Sequence, residues 1–80
     1  MALIVRKNLS KANKSKVSIH KQVEGTYTSF EGTDGKKYFQ IDTYGSEDRE
    51  IQHKISQSIQ FDEDTAKYLF QVIKDELGLI

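Results

Sequence analysis

The stretch that decides the fold is residues 36–78, KKYFQIDTYGSEDREIQHKISQSIQFDEDTAKYLFQVIKDELG. Residues 36–44 and 54–61 alternate between apolar and polar positions, which is the period of a β-strand with one buried face. An amphipathic helix follows the second strand at once. We therefore expect the helix to cover only one face of the sheet, the one that carries Phe39, Ile41, Ile55, Ile59 and Phe61.

The helix is predicted to begin after Asp62, whose carboxylate suits the N-cap position. Glu63 and Asp64 complement the positive end of the helix dipole. Gly78 suits the left-handed C′ position that ends many helices. A single buried stripe is expected at three-four spacing, comprising Ala66, Leu69, Phe70, Ile73 and Leu77.

Two further strands are predicted upstream, at residues 16–23 and 25–32, and Asp34-Gly35 suits a tight hairpin turn into the next strand. The charged segment 45–53 is expected to project as a loop. The predicted class is α+β, a four-stranded antiparallel sheet followed by one C-terminal helix (ββββα). We expect residues 16–80 to form this single domain and residues 1–15 to form a basic N-terminal arm or a short extra strand near Leu3 to Val5.

The chain has 80 residues and no cysteine. A lone core of this size provides only about 3–5 kcal/mol of stability, and no disulfide adds to it. We therefore expect a homodimer, which would bury further apolar surface. No apolar run approaches the ~20 residues of a membrane span, so a membrane is not an expected partner and the cytoplasm is the default location.

Charge is distributed unevenly along this neutral chain. Residues 1–22 carry six basic side chains and no acid, whereas residues 23–80 carry six basic and twelve acidic side chains. Such a basic arm suits a phosphate backbone. It equally suits a solvated, lysine-rich segment that keeps an exposed strand soluble.

Catalysis has little support in the sequence. His20 and His53 are the two histidines, and no phosphate loop of the Walker type is present. A metal site would need His53 together with Glu50 or Asp48, without a second histidine at helical spacing. The prediction is a protein that is not an enzyme and needs no cofactor.

The uncovered sheet face offers a binding surface instead. Aromatic rings on a polar sheet stack with nucleic-acid bases, at about 1–3 kcal/mol per base, and lysines follow the phosphates. Burial of Phe30 and Tyr38 against a second subunit, or cross-strand pairing alone, is the alternative. The predicted nucleic-acid-binding residues are Lys14, Lys16, His20, Thr28, Phe30, Lys36, Lys37, Tyr38, Gln40, Tyr44, Lys54 and Ser56.

Residues 29–73, SFEGTDGKKYFQIDTYGSEDREIQHKISQSIQFDEDTAKYLFQVI, resemble the single-stranded-DNA-binding domain of the positive cofactor four family of transcriptional coactivators, which includes small bacterial members. The resemblance implies a curved four-stranded sheet, a homodimer joined partly through the C-terminal helices, and a single strand of DNA lying on the sheet. It matches Phe30 to a stacking aromatic and Tyr44 to the tyrosine that closes the third strand.

The chain departs from that family at three positions. Asp42 stands where the family has a phosphate-contacting arginine, Gln57 stands at a basic position, and Thr28 stands where another basic residue is frequent. These changes motivate a second hypothesis, a protein-interaction module such as an adaptor or an inhibitor of a nucleic-acid enzyme encoded on a mobile element. Its binding surface would include the acidic side chains Asp42, Glu47, Asp48 and Glu50.

Overall fold

The computed structural model describes residues 1–45 and 54–80. The predicted loop, with Glu47, Asp48, Glu50 and His53, lies outside these residues except at its first position, Gly45. The described elements are β1 (Ala2–Ile4), a short 3-10 helix (Arg6–Asn8), β2 (Glu24–Glu31), β3 (Lys37–Tyr44), β4 (Ile55–Asp62) and α1 (Glu63–Glu76).

The fold is α+β, with one four-stranded sheet in the order β1-β4-β3-β2 and a C-terminal helix. β2 and β3 form the predicted hairpin, in register from Glu24 opposite Tyr44 to Glu31 opposite Lys37. Gly35 adopts a positive φ of 80° in the turn, which a residue with a side chain rarely tolerates. The predicted Asp34-Gly35 turn is therefore confirmed.

The sheet is mixed, so the prediction of a purely antiparallel sheet is wrong. β1 pairs with β4 in parallel, from Ala2 opposite Ile59 to Ile4 opposite Phe61, whereas the other two pairings are antiparallel. The predicted strand at residues 16–23 does not form, and these residues are exposed. Alternation indicates which residues of a segment share a face, but it does not show which strand the segment pairs with. In this chain β1, and not residues 16–23, is the fourth strand of the sheet, and it lies beside β4.

A register shift changes the prediction for the start of β4. Thr43 pairs with Gln57 but Tyr44 pairs with Ile55, so Ser56 is left between two pairings. Directly opposed residues share a face. Ile55 therefore lies on the same side as Tyr44, and its predicted place beside Ile59 and Phe61 is wrong. The extra residue of a bulge is invisible to a strict period of two.

Both predicted ends of the helix are confirmed. The Thr65 backbone N–H donates to the Asp62 carboxylate at 2.9 Å, as an N-cap requires. At the other end Gly78 has a φ of 63°, and the Leu79 N–H reaches the Lys74 carbonyl at 2.9 Å. This closing bond belongs to a Schellman motif, in which the left-handed residue is usually glycine.

The predicted buried stripe of the helix is only partly correct. Thr65 is fully buried and Leu69 is half-buried, but Phe70 is 72% exposed and Ile73 and Leu77 are exposed as well. The helix packs against β3 and β4, and Thr65 lies on its buried side. Phe61 is 7% exposed and is the one buried apolar side chain in residues 1–45 and 54–80. The apolar stripe of α1 is therefore wider than the part of the sheet that it contacts.

In the described part of the chain, no helix is long and apolar enough to cross a membrane.

Candidate nucleic-acid interface

The pairing register assigns side chains to the two faces of the sheet. Phe39 opposes Phe61 and Ile41 opposes Ile59 on the helix side. Phe30 opposes Tyr38 and Thr28 opposes Gln40 on the other side. We call this second side the polar face; it includes Thr26, Thr28, Phe30, Tyr38, Gln40, Asp42, Tyr44, Ser58 and Gln60, and Ile55 lies on the same side opposite Tyr44.

An aromatic pair lies at one end of the polar face. The Phe30 and Tyr38 rings stack with centroids 5.6 Å apart and planes 23° apart. The Tyr38 hydroxyl donates to the Asp34 carboxylate at 2.6 Å, and the Lys36 backbone N–H donates to the same carboxylate at 3.0 Å. The hairpin turn therefore fixes the orientation of the Tyr38 ring. Phe30 remains 37% exposed, so a flat ligand has access to it.

The hydrogen bond between Tyr38 and Asp34 shifts both titrations. It lowers the pKa of Asp34, with help from the Lys36 backbone N–H, because both donors favour the carboxylate. The same bond raises the pKa of Tyr38, because the neutral phenol is the donor. The turn therefore favours an ionised carboxylate and a protonated phenol around neutral pH.

A chain of amide hydrogen bonds crosses the middle of the polar face. Gln60 donates to the Gln40 side-chain oxygen at 2.7 Å, and Gln40 donates to the two oxygens of Asp42 at 2.9 and 3.1 Å. An ionised carboxylate only accepts hydrogen bonds, so Asp42 fixes the direction of the whole chain. Asp42 itself is 6% exposed, and the Gln40 amide lies against it.

The far end of the polar face carries hydroxyl groups. The Thr26 and Tyr44 side chains lie within hydrogen-bond distance, with their oxygens 3.0 Å apart. An open groove runs beside them along β1 and β4, lined by Gln40, Ile55, Ser58 and Gln60 together with the first three residues of the chain. Rings, amides and hydroxyls thus follow one another across a single uncovered surface.

Five predicted site residues meet on this surface: Thr28, Phe30, Tyr38, Gln40 and Tyr44. Two others do not. His20 lies in the exposed segment that forms no strand, and Ser56 lies at the register shift of β4. Both were placed by alternation, which fails where the strand is absent or gains an extra residue.

None of the predicted lysines lies on the polar face. Lys36 lies in the hairpin turn, Lys54 precedes β4, and Lys37 opposes Glu31 on the helix side. Lys14 and Lys16 lie in the exposed segment before β2. The centre of the face holds Asp42 and uncharged side chains.

Four polar side chains of the polar face, Thr26, Asp42, Ser58 and Gln60, were missing from the predicted site. Gln60 stands directly opposite Gln40, and Thr26 directly opposite Asp42. The alternation of each strand indicates that these side chains share a face. That Gln40 and Gln60 stand opposite each other can be known only from the register of the two strands. That register follows from the turn for β2 and β3 and has no local signature for β4.

Comparison of the chain with protein-family models, curated proteins and solved structures gave no match. The resemblance to the positive cofactor four family therefore stays a prediction.

Proposed function

We propose that this protein binds single-stranded nucleic acid with low sequence specificity, as a cytoplasmic cofactor of transcription or DNA metabolism and not as an enzyme. The observation that carries the proposal is the Phe30–Tyr38 ring pair on a sheet face that no described element covers. Every base has a π-face, so stacking on such rings tolerates any sequence.

The neighbouring side chains support the same function. Gln40 and Gln60 present amide groups, and Thr28 and Tyr44 present hydroxyls, all of which can bond to base edges or sugars. Lys36 and Lys54 stand at the margins of the face, where the phosphates of a strand lying across it would pass. Lys14 and Lys16, in the exposed segment before β2, add positive charge to that path.

A homodimer joined through the C-terminal helix is part of the proposal. Phe70, Ile73 and Leu77 form an exposed stripe along α1, and Tyr27 and Ile41 are exposed on the helix side of the sheet. Monomeric proteins rarely expose contiguous apolar patches of this kind. A second copy packed against this surface would enlarge a core that contains one buried apolar side chain among the described residues.

The test is a fluorescence anisotropy titration of labelled single strands of deoxythymidine and of mixed sequence, at 20 mM and 200 mM salt, about one decade apart. We expect binding at low salt, similar affinity for both sequences, and weaker binding at high salt. Absence of binding at low salt would overturn the proposal.

A second candidate is a protein-interaction module, and one observation favours it. Carboxylates occupy the polar face at Asp42 and its edges at Asp34 and Asp62, while lysines are absent from its centre. Such a surface is complementary to a basic protein partner. One stoichiometric partner in a pull-down, together with no oligonucleotide binding, would favour this candidate over the first.

A further inference from the structure

The open groove along β1 and β4 has the composition of a small-molecule site. Leu3, which stands beside Gln60 in the parallel pairing of these strands, and Ile55 are exposed apolar side chains of its lining. Gln40, Ser58 and Gln60 are half-buried polar side chains of the same lining. The groove has a volume of about 380 Å³, and ligand pockets commonly have roughly 300–1,000 Å³ with a few polar groups among apolar ones.

The amide hydrogen bonds of this groove all run in one direction. Gln60 donates to the Gln40 carbonyl oxygen, and Gln40 donates to the Asp42 carboxylate. Because each amide turns a donor towards the carboxylate, the chain of bonds leaves an acceptor at its other end, the Oε1 atom of Gln60. Within residues 1–45 and 54–80 no group donates a hydrogen bond to this oxygen. Gln60 is only half-buried, so a ligand in the groove can reach it.

A free acceptor selects a ligand that donates a hydrogen bond. A phosphate diester only accepts hydrogen bonds, and the ionised Asp42 nearby repels its charge. An unpaired nucleobase has an N–H group on its Watson–Crick edge, and its flat faces suit apolar neighbours such as Leu3 and Ile55. In a double strand the same N–H is already bonded to the opposite base. The groove therefore favours an unpaired base over a phosphate and over a base pair.

The groove lies close to the Phe30–Tyr38 ring pair on the same face. Tyr38 and Gln40 are two positions apart on β3, which is about 7 Å along a strand. Gln60 stands directly opposite Gln40 on the next strand. Nearby nucleotides of one extended single strand can therefore reach the rings and the groove together.

We propose that the groove between β1 and β4 binds one unpaired base of the single strand, and that an N–H of its Watson–Crick edge donates to Gln60 Oε1. This inference rests on the proposed function and names the part of the base that is recognised. Each of the four bases has such an N–H group. The contact thus distinguishes single strands from double strands without selecting a sequence.

Methylation of thymine at N3 tests the contact without changing the protein. The methyl group replaces the one N–H of the base and keeps its charge and its π-face. Dissociation constants of the wild-type chain are measured at low salt for strands of deoxythymidine and of N3-methyldeoxythymidine of equal length. We expect the methylated strand to bind about fivefold or more weakly, since one hydrogen bond is lost and its acceptor is left unpaired. A ratio below twofold would overturn this inference and leave the proposed function intact, whereas no binding of either strand would overturn both.

Two variants assign the effect of the methyl group to Gln60. Gln60→Met keeps the length of the side chain without its amide, and Gln57→Met makes the same change at an exposed position on the helix side of β4. We expect Gln60→Met, folded by circular dichroism, to bind the two strands within about twofold of each other, because the acceptor is gone. Gln57→Met should keep the wild-type ratio. A wild-type ratio that persists in Gln60→Met would overturn the inference.

Discussion

The Gln40 side-chain amide lies 2.9 and 3.1 Å from the two oxygens of Asp42, at the centre of the polar face. The amide bonds to the carboxylate but does not neutralise it. A phosphate passing over this point is therefore repelled by a charge that has little water around it.

Asp42→Asn should tighten the binding of single strands about threefold to tenfold at low salt, because it removes that repulsion without changing the side-chain volume. The measurement is the oligonucleotide titration, with Asp64→Asn on the exposed start of α1 as the control. Under the second candidate function the same substitution would weaken binding of a basic protein partner. A loss of oligonucleotide affinity in a folded Asp42→Asn protein would contradict our account.

Gly35 in the hairpin turn and Gly45 after β3 provide a matched pair of glycine substitutions. Gly35→Ala should lower the free energy of unfolding by about 1–2 kcal/mol, because φ at Gly35 is positive and a side chain is strained there. Gly45→Ala serves as the control, since a Cβ at Gly45 also meets open space but without a positive φ. Urea unfolding measures both, and equal effects would contradict the assignment of the turn.

Stability should depend on pH at both extremes. The Thr65 side chain and the hydrogen bond from its backbone N–H lower the pKa of Asp62, and the bond from Tyr38 lowers the pKa of Asp34. Both contributions are present above the ordinary aspartate pKa of 3.8 and are lost as the pH falls through the lowered values. The raised pKa of Tyr38 acts oppositely: its contribution is complete below pH 10.0 and is lost above it.

The check is the midpoint of thermal unfolding between pH 2 and 11, where the double Asp34→Asn, Asp62→Asn chain should show a flatter acid side than the wild-type protein. Tyr38→Phe should flatten the alkaline side. An acid profile that is unchanged by the double substitution would exclude these carboxylates as its cause.

A charged substitution in the exposed stripe of α1 tests the proposed dimer contact. Phe70→Lys should weaken self-association at least tenfold, because a lysine is costly in an apolar interface, while the protomer stays folded since Phe70 is largely exposed in it. Gln71→Lys adds the same charge one position along the exposed helix surface and should change the association constant less than twofold. Sedimentation equilibrium measures both constants, and a wild-type chain that is monomeric at all concentrations would refute the helix dimer.

The comparison between sequence and structure has a physical pattern. The helix caps and the Asp34-Gly35 turn were predictable because their signals are local, made by residues within one turn of each other. The partner of each strand was not predictable, since the choice between residues 2–4 and 16–23 depends on long-range pairing. The exposure of Phe70, Ile73 and Leu77 was not predictable for the same reason. Periodicity gives the width of an apolar stripe on a helix but does not say what packs against it.

In the candidate site, too, the residues with local signals were predictable and those that depend on long-range pairing were not. Thr28, Phe30, Tyr38, Gln40 and Tyr44 were predictable as one face because their strands are regular and the turn fixes their register. Ile55 and Ser56 were misplaced because a single extra residue near the start of β4 reverses the alternation. The hydrogen bonds from Gln60 to Gln40 and on to Asp42 became visible only with the register of β3 and β4.

The central claim is that the Phe30–Tyr38 pair binds bases, and one comparison tests it most directly. The dissociation constant of a labelled single strand is measured for the wild-type chain, for Phe30→Leu, and for Tyr27→Leu as the control, at protein concentrations where all three have the same mass by sedimentation equilibrium. Tyr27 lies three positions away on β2, is 77% exposed and faces the opposite side of the sheet. We predict that Phe30→Leu weakens binding about 5-fold to 100-fold, the loss of one stacked base, and that Tyr27→Leu weakens it less than twofold. Equal effects of the two substitutions, with both proteins folded, would contradict the claim.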